Sequence, residues 1–327
     1  MKAVFLCNFP ENVRRVYDRA ALSRLHAICA LDEHVYTAAE LDKIPVETEI
    51  VFSTWGMPAL TEQQIARHLP HLQCVFYAAG SVQAFARPFL AHGVRVYSAW
   101  AANAVPVAEY TVAQILLANK GFFAQARDMR IQKPASRSTD YLGNYEQSVG
   151  LIGCGMIGSL VAEMLKAYKL NVMVYDPFLS AQRAADLNVT PCSLEKIFAQ
   201  CSVVSNHLAN NAATRGMLTY EYFSQMRPYA TFLNTGRGAQ VVENDLVRTL
   251  LERPDLTAIL DVTDPEPSAP DHPFYSLPNC ILTPHIAGSI GNEVWRMSAF
   301  MADELERYLG NIPCKYQVTV QMLETMA

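Results

Sequence analysis

The 327-residue chain carries 26 Lys and Arg against 31 Asp and Glu, a formal net charge of −5, with 51% hydrophobic and 17% charged residues. That balance supplies cores for two ordinary domains and excludes the basic footprint of a protein that binds nucleic acid or an anionic membrane. The eight cysteines form no C-x-x-C pair, so no metal site or redox pair is expected, and most sit in apolar runs as reduced core residues.

In chain order, the first apolar run, AVFLC (3–7), is broken by Asn8, Pro10 and Glu11. It is too short for a secretory signal, and no stretch reaches the roughly 18 apolar residues of a membrane span, so a cytoplasmic protein is expected. AVFLC reads as a strand, followed by strands at 27–31 (AICAL), 50–54 (IVFST), 74–78 (CVFYA) and 94–99 (VRVYSA). Helical patterns at 61–69 and 83–92 lie between them, an alternation that argues for a parallel sheet with helices on both faces. A longer helix is expected from 105 to 123, with Pro106 in its first turn. The polar segment 128–147 reads as a connection.

A second alternating series follows. Strands are expected at 171–176, 202–207, 230–234, 257–262 and 280–284, separated by helices near 160–168, 193–200 and 243–252. The turn-rich stretch 264–279 reads as an ordered loop, and a last helix is expected at 291–309.

The segment SVGLIGCGMIGSLVAEMLKAYKLNVMVYD begins this series. It places Gly153, Gly155 and Gly158 between a strand and a helix, with Asp176 at the end of the next strand, 23 positions after Gly153. Each part has a physical task. Gly153 permits the tight turn, Gly155 clears the approach of a pyrophosphate, and Gly158 lets the helix pack on the strand. The helix N-terminus, from Met156 and Ile157, offers free N–H groups to phosphate. Asp176 can accept hydrogen bonds from ribose hydroxyls, and a carboxylate there disfavours a 2′-phosphate. No Arg follows in DPFLS, so the expected cofactor is NAD.

Three further segments, NTGRGAQVVENDL (234–246), LDVTDPEPSAPDHP (260–273) and LTPHIAGS (282–289), together with GCGMIG and HLANNAATRGML (207–218), resemble the D-isomer-specific 2-hydroxyacid dehydrogenase family. The resemblance covers roughly residues 98–300. It implies Arg237, Glu266 and His285 as the catalytic residues. Arginine's planar fork suits a carboxylate beside a ketone. Histidine suits delivery of a proton to the carbonyl oxygen as hydride arrives, and the glutamate orients it.

By the same resemblance His207, Thr235 and Gly236 line the cofactor cleft, and Asp261 meets the nicotinamide carboxamide or serves as a turn aspartate. Asn103 approaches the nicotinamide or caps the long helix. Ala79, Gly80 and Ser81 would hold the substrate carboxylate through main-chain N–H groups. The family often continues G-V-D or G-x-N where this chain has Gly80-Ser81-Val82, which leaves the side-chain part of substrate selection open.

The implied fold is two doubly wound α/β domains. A Rossmann NAD-binding domain (102–291) is inserted into a flavodoxin-like substrate-binding domain (1–101 and 292–327), with the cleft between them taking a small 2-oxo or 2-hydroxy acid. A homodimer is expected. The expected activity is NAD-dependent interconversion of a 2-oxo acid and a D-2-hydroxy acid. Two alternatives remain: an NAD(H)-responsive corepressor-like binding protein, and a phosphoglycerate-type dehydrogenase. Against the latter, the chain ends soon after the closing helix, and no cluster of basic residues lies near Ala78–Ser81 in the sequence.

Overall fold

The structure is a computed structural model, and it describes residues 1–130 and 141–324. The chain divides into two compact units, Met1–Ala104 with Ser289–Ala327, and Val105–Gly288. The expected boundaries were 102 and 291; the observed ones fall at 105 and 288, the first of them inside a helix.

The first unit contains β1 (Lys2–Leu6), α1 (Pro10–Val16), α2 (Arg19–Ile28), β2 (Ala30–Tyr36), β3 (Ile50–Ser53), α3 (Glu62–His68), β4 (Cys74–Tyr77), α4 (Ala86–Ala91) and β5 (Arg95–Ser98). The chain then runs through α5 (Trp100–Asn119) into the second unit. There it forms α6 (Phe122–Arg130), β6 (Ser148–Ile152), α7 (Met156–Leu165), β7 (Asn171–Tyr175), α8 (Ala181–Leu187), β8 (Thr190–Pro191) and α9 (Leu194–Gln200). It continues with β9 (Val203–Asn206), α10 (Tyr220–Phe223), β10 (Thr231–Asn234), α11 (Glu243–Glu252), β11 (Thr257–Leu260) and β12 (Cys280–Leu282). Helix α12 (Trp295–Leu309) and strand β13 (Gln317–Val318) belong to the first unit.

The first sheet has the order β13-β5-β4-β3-β1-β2. Its β1 to β5 pair in parallel and β13 runs antiparallel on the edge beside β5. This is the flavodoxin-like order, and the direction of winding reverses between β1 and β3. The second sheet, β12-β11-β10-β9-β6-β7-β8, is parallel throughout and has the Rossmann order, with the reversal between β6 and β9.

The central strands of the second sheet, β6, β9, β10 and β11, are buried on both faces, as parallel strands under helices must be. Val149 and Leu151 of β6 join Val172, Val174, Val203, Leu233 and Ile259 in one core with Val161 and Leu165 of α7. The alternate residues Ile152, Met173, Val204, Phe232 and Leu260 face the other core, with Ile197 and Phe198 of α9. The first unit's core stacks Phe5, Phe52, Phe76 and Tyr97 across adjacent strands, the last pair with ring centroids 4.8 Å apart. Polar caps start the helices where the sequence places them. Asp18 accepts from the Ala21 N–H, Thr61 and Gln64 form a capping box, and Ser180 and Ser193 cap α8 and α9.

Four expectations need correction. The strand expected at 27–31 begins only at Ala30, because Ile28 closes α2, while β2 runs on through the polar residues Asp32, Glu33 and His34. An edge strand can afford charge on both faces, so apolar alternation does not reveal it. The long helix begins at Trp100, which puts Pro106 inside it and not in its first turn. The last helix starts as a 3-10 turn over Gly291–Val294 before α12 proper. Part of the 128–147 connection lies outside the described residues, and its start belongs to α6.

Gly150 shows how tightly α9 lies on the sheet. A Cβ there would stand 2.5 Å from Cγ2 of Ile197 and 3.1 Å from Sγ of Cys201. Gly150→Val is expected to destabilise the protein by about 1–3 kcal/mol through overpacking, seen as a lower urea midpoint with unchanged helical content by circular dichroism.

Candidate active site

The carboxyl ends of β6 and β9, where the second sheet reverses direction, are where open parallel sheets take ligands. Gly153 leaves β6 with φ +92°, a conformation that favours glycine. A Cβ on it would lie 2.7 Å from the His207 carbonyl oxygen, and one on Gly158 would lie 2.1 Å from the Gly153 carbonyl oxygen. Nothing lies within 4 Å of the corresponding position on Gly155, the N-cap of α7, and no side chain caps that helix. Its first N–H groups, from Met156 onward, thus have no side-chain cap, the arrangement a bound anion requires.

Asp176 tightens this turn. Its Oδ2 accepts from the Cys154 N–H at 2.7 Å and its Oδ1 from the Phe178 N–H at 2.8 Å. Across the turn, His207 donates its main-chain N–H to the Ile152 oxygen, and its Nε2 pairs with the Ser205 hydroxyl at 2.9 Å. Its Nδ1 is buried without a protein partner, and burial pushes the imidazole down to about 4. A neutral ring with one unpaired polar atom beside an uncapped helix start fits a bound dinucleotide.

Thr235 and Gly236 follow β10. Thr235 is buried with its hydroxyl 3.3 Å from that of Thr111, and the Gly236 N–H is held by Oδ1 of Asn234. Arg237 comes next, in extended backbone, with Nη1 donating to the Gly236 oxygen at 2.8 Å. Burial pushes its guanidinium below the usual arginine range, and the Glu266 charge opposes that shift.

Glu266 and His285 meet directly: Oε1 of Glu266 lies 2.6 Å from Nδ1 of His285. Both are partly exposed, and Nε2 of His285 has no partner among the described residues. His285 adopts φ +54°, unusual for a residue with a side chain. What holds it there is Asp261, 2% exposed at the end of β11. Asp261 Oδ1 accepts from the Thr283 hydroxyl (2.6 Å) and the Ile286 N–H (2.8 Å), and Oδ2 from the Ala287 N–H (2.8 Å). The His285 N–H in turn donates to the Asp261 and Thr283 oxygens. Of the two roles expected of Asp261, the structure displays the turn aspartate. The second unit therefore brings Arg237, Glu266 and His285 together around one carboxylate–imidazole pair.

In the first unit, Ala79, Gly80 and Ser81 follow the carboxyl end of β4. The buried Ser98 hydroxyl reaches the carbonyl oxygens of Ala79 (2.9 Å) and Gly80 (2.6 Å). The N–H groups of Gly80 and Ser81 make no hydrogen bond among the described residues, so they remain available to an anion. Asn103 does not cap α5. It lies in its first turn, donates its N–H to the Ala99 oxygen, and accepts from the Ser289 N–H at 3.0 Å. Its Nδ2 is 3.6 Å from where a Cβ of Gly80 would be. Sequence reasoning did not find Ser98, Ser289, Asn206 or Gln240; each has at least one partner 18 or more residues away in the chain.

The family described as "D-isomer specific 2-hydroxyacid dehydrogenase, NAD binding domain" matches residues 112–287. The chain belongs to this family. A Bacillus subtilis protein called YoaD, named as a 2-hydroxyacid dehydrogenase, is 30% identical over 260 residues, covering 76% of this chain and 69% of that protein. D-3-phosphoglycerate dehydrogenase of Archaeoglobus fulgidus is 28% identical over 232 residues, 71% of this chain but only 44% of its own length. The chain thus spans less than half the length of several of these curated relatives. In fold it is similar to the NAD-complexed D-isomer specific 2-hydroxyacid dehydrogenase of Lactobacillus delbrueckii, with TM-score 0.78 at 18% identity, covering 98% of this chain and all of the other.

The cofactor of this family domain is NAD, and the uncapped start of α7, the glycine turn and the orphaned His207 nitrogen fit it. Among the described residues no helix is long and apolar enough to cross a membrane.

The buried His207 has a consequence for stability. Unfolded, its pKa returns to about 6.5, so the unfolded chain binds the proton more readily. Its contribution is full above about pH 6.5 and is lost as pH falls towards 4. In His207→Gln the fall in urea midpoint between pH 6.5 and 4 should flatten relative to the unaltered protein.

Proposed function

We propose that the protein reduces a 2-oxo acid to a D-2-hydroxy acid with NADH. The observation that carries this reading is the 2.6 Å His285–Glu266 pair in the same unit as the NAD-binding turn, with Arg237 close enough to feel the Glu266 charge. Bound NADH supplies the hydride for the carbonyl carbon.

The chain's own residues do the rest. Arg237 holds the substrate carboxylate and carbonyl oxygen through its planar fork, and its partial burial strengthens that contact. Glu266 at Nδ1 fixes the ring orientation of His285. His285 delivers the Nε2 proton to the oxygen on which negative charge develops, and takes it back in the reverse direction. The carry-over of substrate-carboxylate binding to Ala79, Gly80 and Ser81 rests on the resemblance and is supported by the unpaired N–H groups of Gly80 and Ser81. Asp176 as ribose partner, and His207, Thr235 and Gly236 as cofactor-lining residues, are assigned on the same footing. For Asn103 the nicotinamide contact is the role that survives the loss of the capping one, and a nicotinamide contact for Asp261 would use the lone pairs its turn leaves free.

The names of the curated relatives favour one second reading, in which the substrate is 3-phosphoglycerate. A single panel separates the two: glyoxylate, hydroxypyruvate, pyruvate and phenylpyruvate with NADH, and 3-phosphoglycerate with NAD. Turnover of at least one 2-oxo acid is expected; NADH binding without turnover of any compound would refute the enzymatic reading.

On the best substrate, His285→Ala should lower kcat about 10²–10⁴-fold while the NADH dissociation constant stays unchanged. Glu266→Gln keeps the shape of the side chain and removes the carboxylate that orients the ring. Its kcat should fall while the NADH dissociation constant stays unchanged. A kcat equal to that of the unaltered enzyme would contradict the role given to Glu266.

A further inference from the structure

Three side-chain amides are buried at the carboxyl ends of β9 and β10 and just beyond. Asn206 and Gln240 are 0% exposed and Asn234 1%. Buried amides are costly unless bonded, and these are bonded to one another and to the main chain around Arg237. Gln240 Oε1 accepts from the Arg237 N–H (3.0 Å) and from Asn206 Nδ2 (2.8 Å), and its Nε2 donates to the Leu208 oxygen (3.0 Å). Asn206 Nδ2 also donates to Asn234 Oδ1, and its own Oδ1 accepts from the Leu208 N–H. Asn234 Nδ2 donates to the Arg237 oxygen at 3.1 Å. Both main-chain groups of Arg237 are thus held by buried amides, the N–H by Gln240 and the carbonyl by Asn234. The same network grips the chain on either side of His207.

We propose that Gln240, braced by Asn206, is a positioning residue that sets where the Arg237 guanidinium stands. The proposal rests on Arg237 binding the 2-oxo acid, as proposed above. A long arginine side chain is aimed by its own peptide groups, and small displacements of a substrate-binding group have large effects on rate. Gln240 is suited to the task because one oxygen serves two donors, one of them the peptide of Arg237, while the –NH2 end is anchored on the His207 turn. A residue that merely filled the space could do so with carbon. Gln240 does not touch the reacting atoms itself, so its influence passes through Arg237.

The test uses the full-length protein and two variants. Gln240→Met keeps the length of the side chain and removes every hydrogen bond. Its KM for the 2-oxo acid is expected to rise about tenfold or more, and the dissociation constant of oxamate from the NADH complex to rise in parallel, with NADH binding changed by less than about threefold.

Gln240→Glu is the conservative variant. Its carboxyl, when protonated, can accept from Arg237 and Asn206 and donate to Leu208 as the amide does. Burial raises the pKa of such a group. The ratio of its kcat/KM to that of the unaltered protein should therefore be near one at low pH and fall as pH rises, whereas the ratio for Gln240→Met should be flat.

A purely structural role predicts otherwise: less active protein, the same KM for the acid, and no pH signature. An unchanged KM in Gln240→Met, a flat ratio in Gln240→Glu, or loss of cooperative unfolding in both variants would each overturn the proposal. Absence of turnover in the unaltered protein would instead overturn the functional reading, and this proposal with it.

Discussion

The buried carboxylate of Asp261 is the constraint on which the candidate chemistry depends. It sits at the carboxyl end of β11 and collects three donors from the segment 283–287. A charge out of water needs such donors, and here they come from the peptide chain that carries His285. Folding the loop around the carboxylate places His285 at positive φ and brings its Nδ1 onto Glu266. The unfavourable backbone of one residue is offset by hydrogen bonds made by its neighbours, a common arrangement where a side chain must be held in one direction. The position of the imidazole follows from a residue whose carboxylate binds only the loop that carries it.

A similar economy operates around Arg237 and the glycine turn. The carboxyl ends of β7, β9, β10 and β11 lie along one edge of the second sheet, and each carries a polar residue that organises a loop beside it. Asp176, after β7, closes the glycine turn, and Asn206 and Asn234 close the loops after β9 and β10. The hydrophobic interior of the strands supplies rigidity, and the polar residues at their ends convert it into fixed loop geometry. The first unit repeats the device on a smaller scale, with the Ser98 hydroxyl holding the carbonyls of Ala79 and Gly80 and leaving two N–H groups unpaired.

What the sequence revealed and what it hid divide along physical lines. The parallel sheets and the glycine turn were legible because they are encoded locally: apolar strands at short range, and glycines at fixed spacing between strand and helix. Arg237, Glu266 and His285, which the structure brings together, were singled out through their motifs. The polar edge strand β2 was misplaced because its pattern carries no buried face. Asp261 reads first as a cofactor contact and only second as a turn aspartate, since its donors lie 22 to 26 residues away. Gln240 reads in the sequence as an unremarkable polar residue before a helix. Its importance exists only once β9 and β10 have paired and brought Asn206 and Leu208 beside it. The link between Asn103 and Ser289 spans 186 residues and has no local signature at all.

The account holds that hydride moves from the bound nicotinamide to the carbonyl carbon of a 2-oxo acid while His285 supplies the proton. The most direct measurement is the fate of the label when NADH deuterated at C4, on each face in turn, is used with the best substrate. The account predicts a D-2-hydroxy acid with deuterium at C2 from one of the two labelled cofactors and none from the other. An L product, or a 2-hydroxy acid unlabelled from both cofactors, would contradict it.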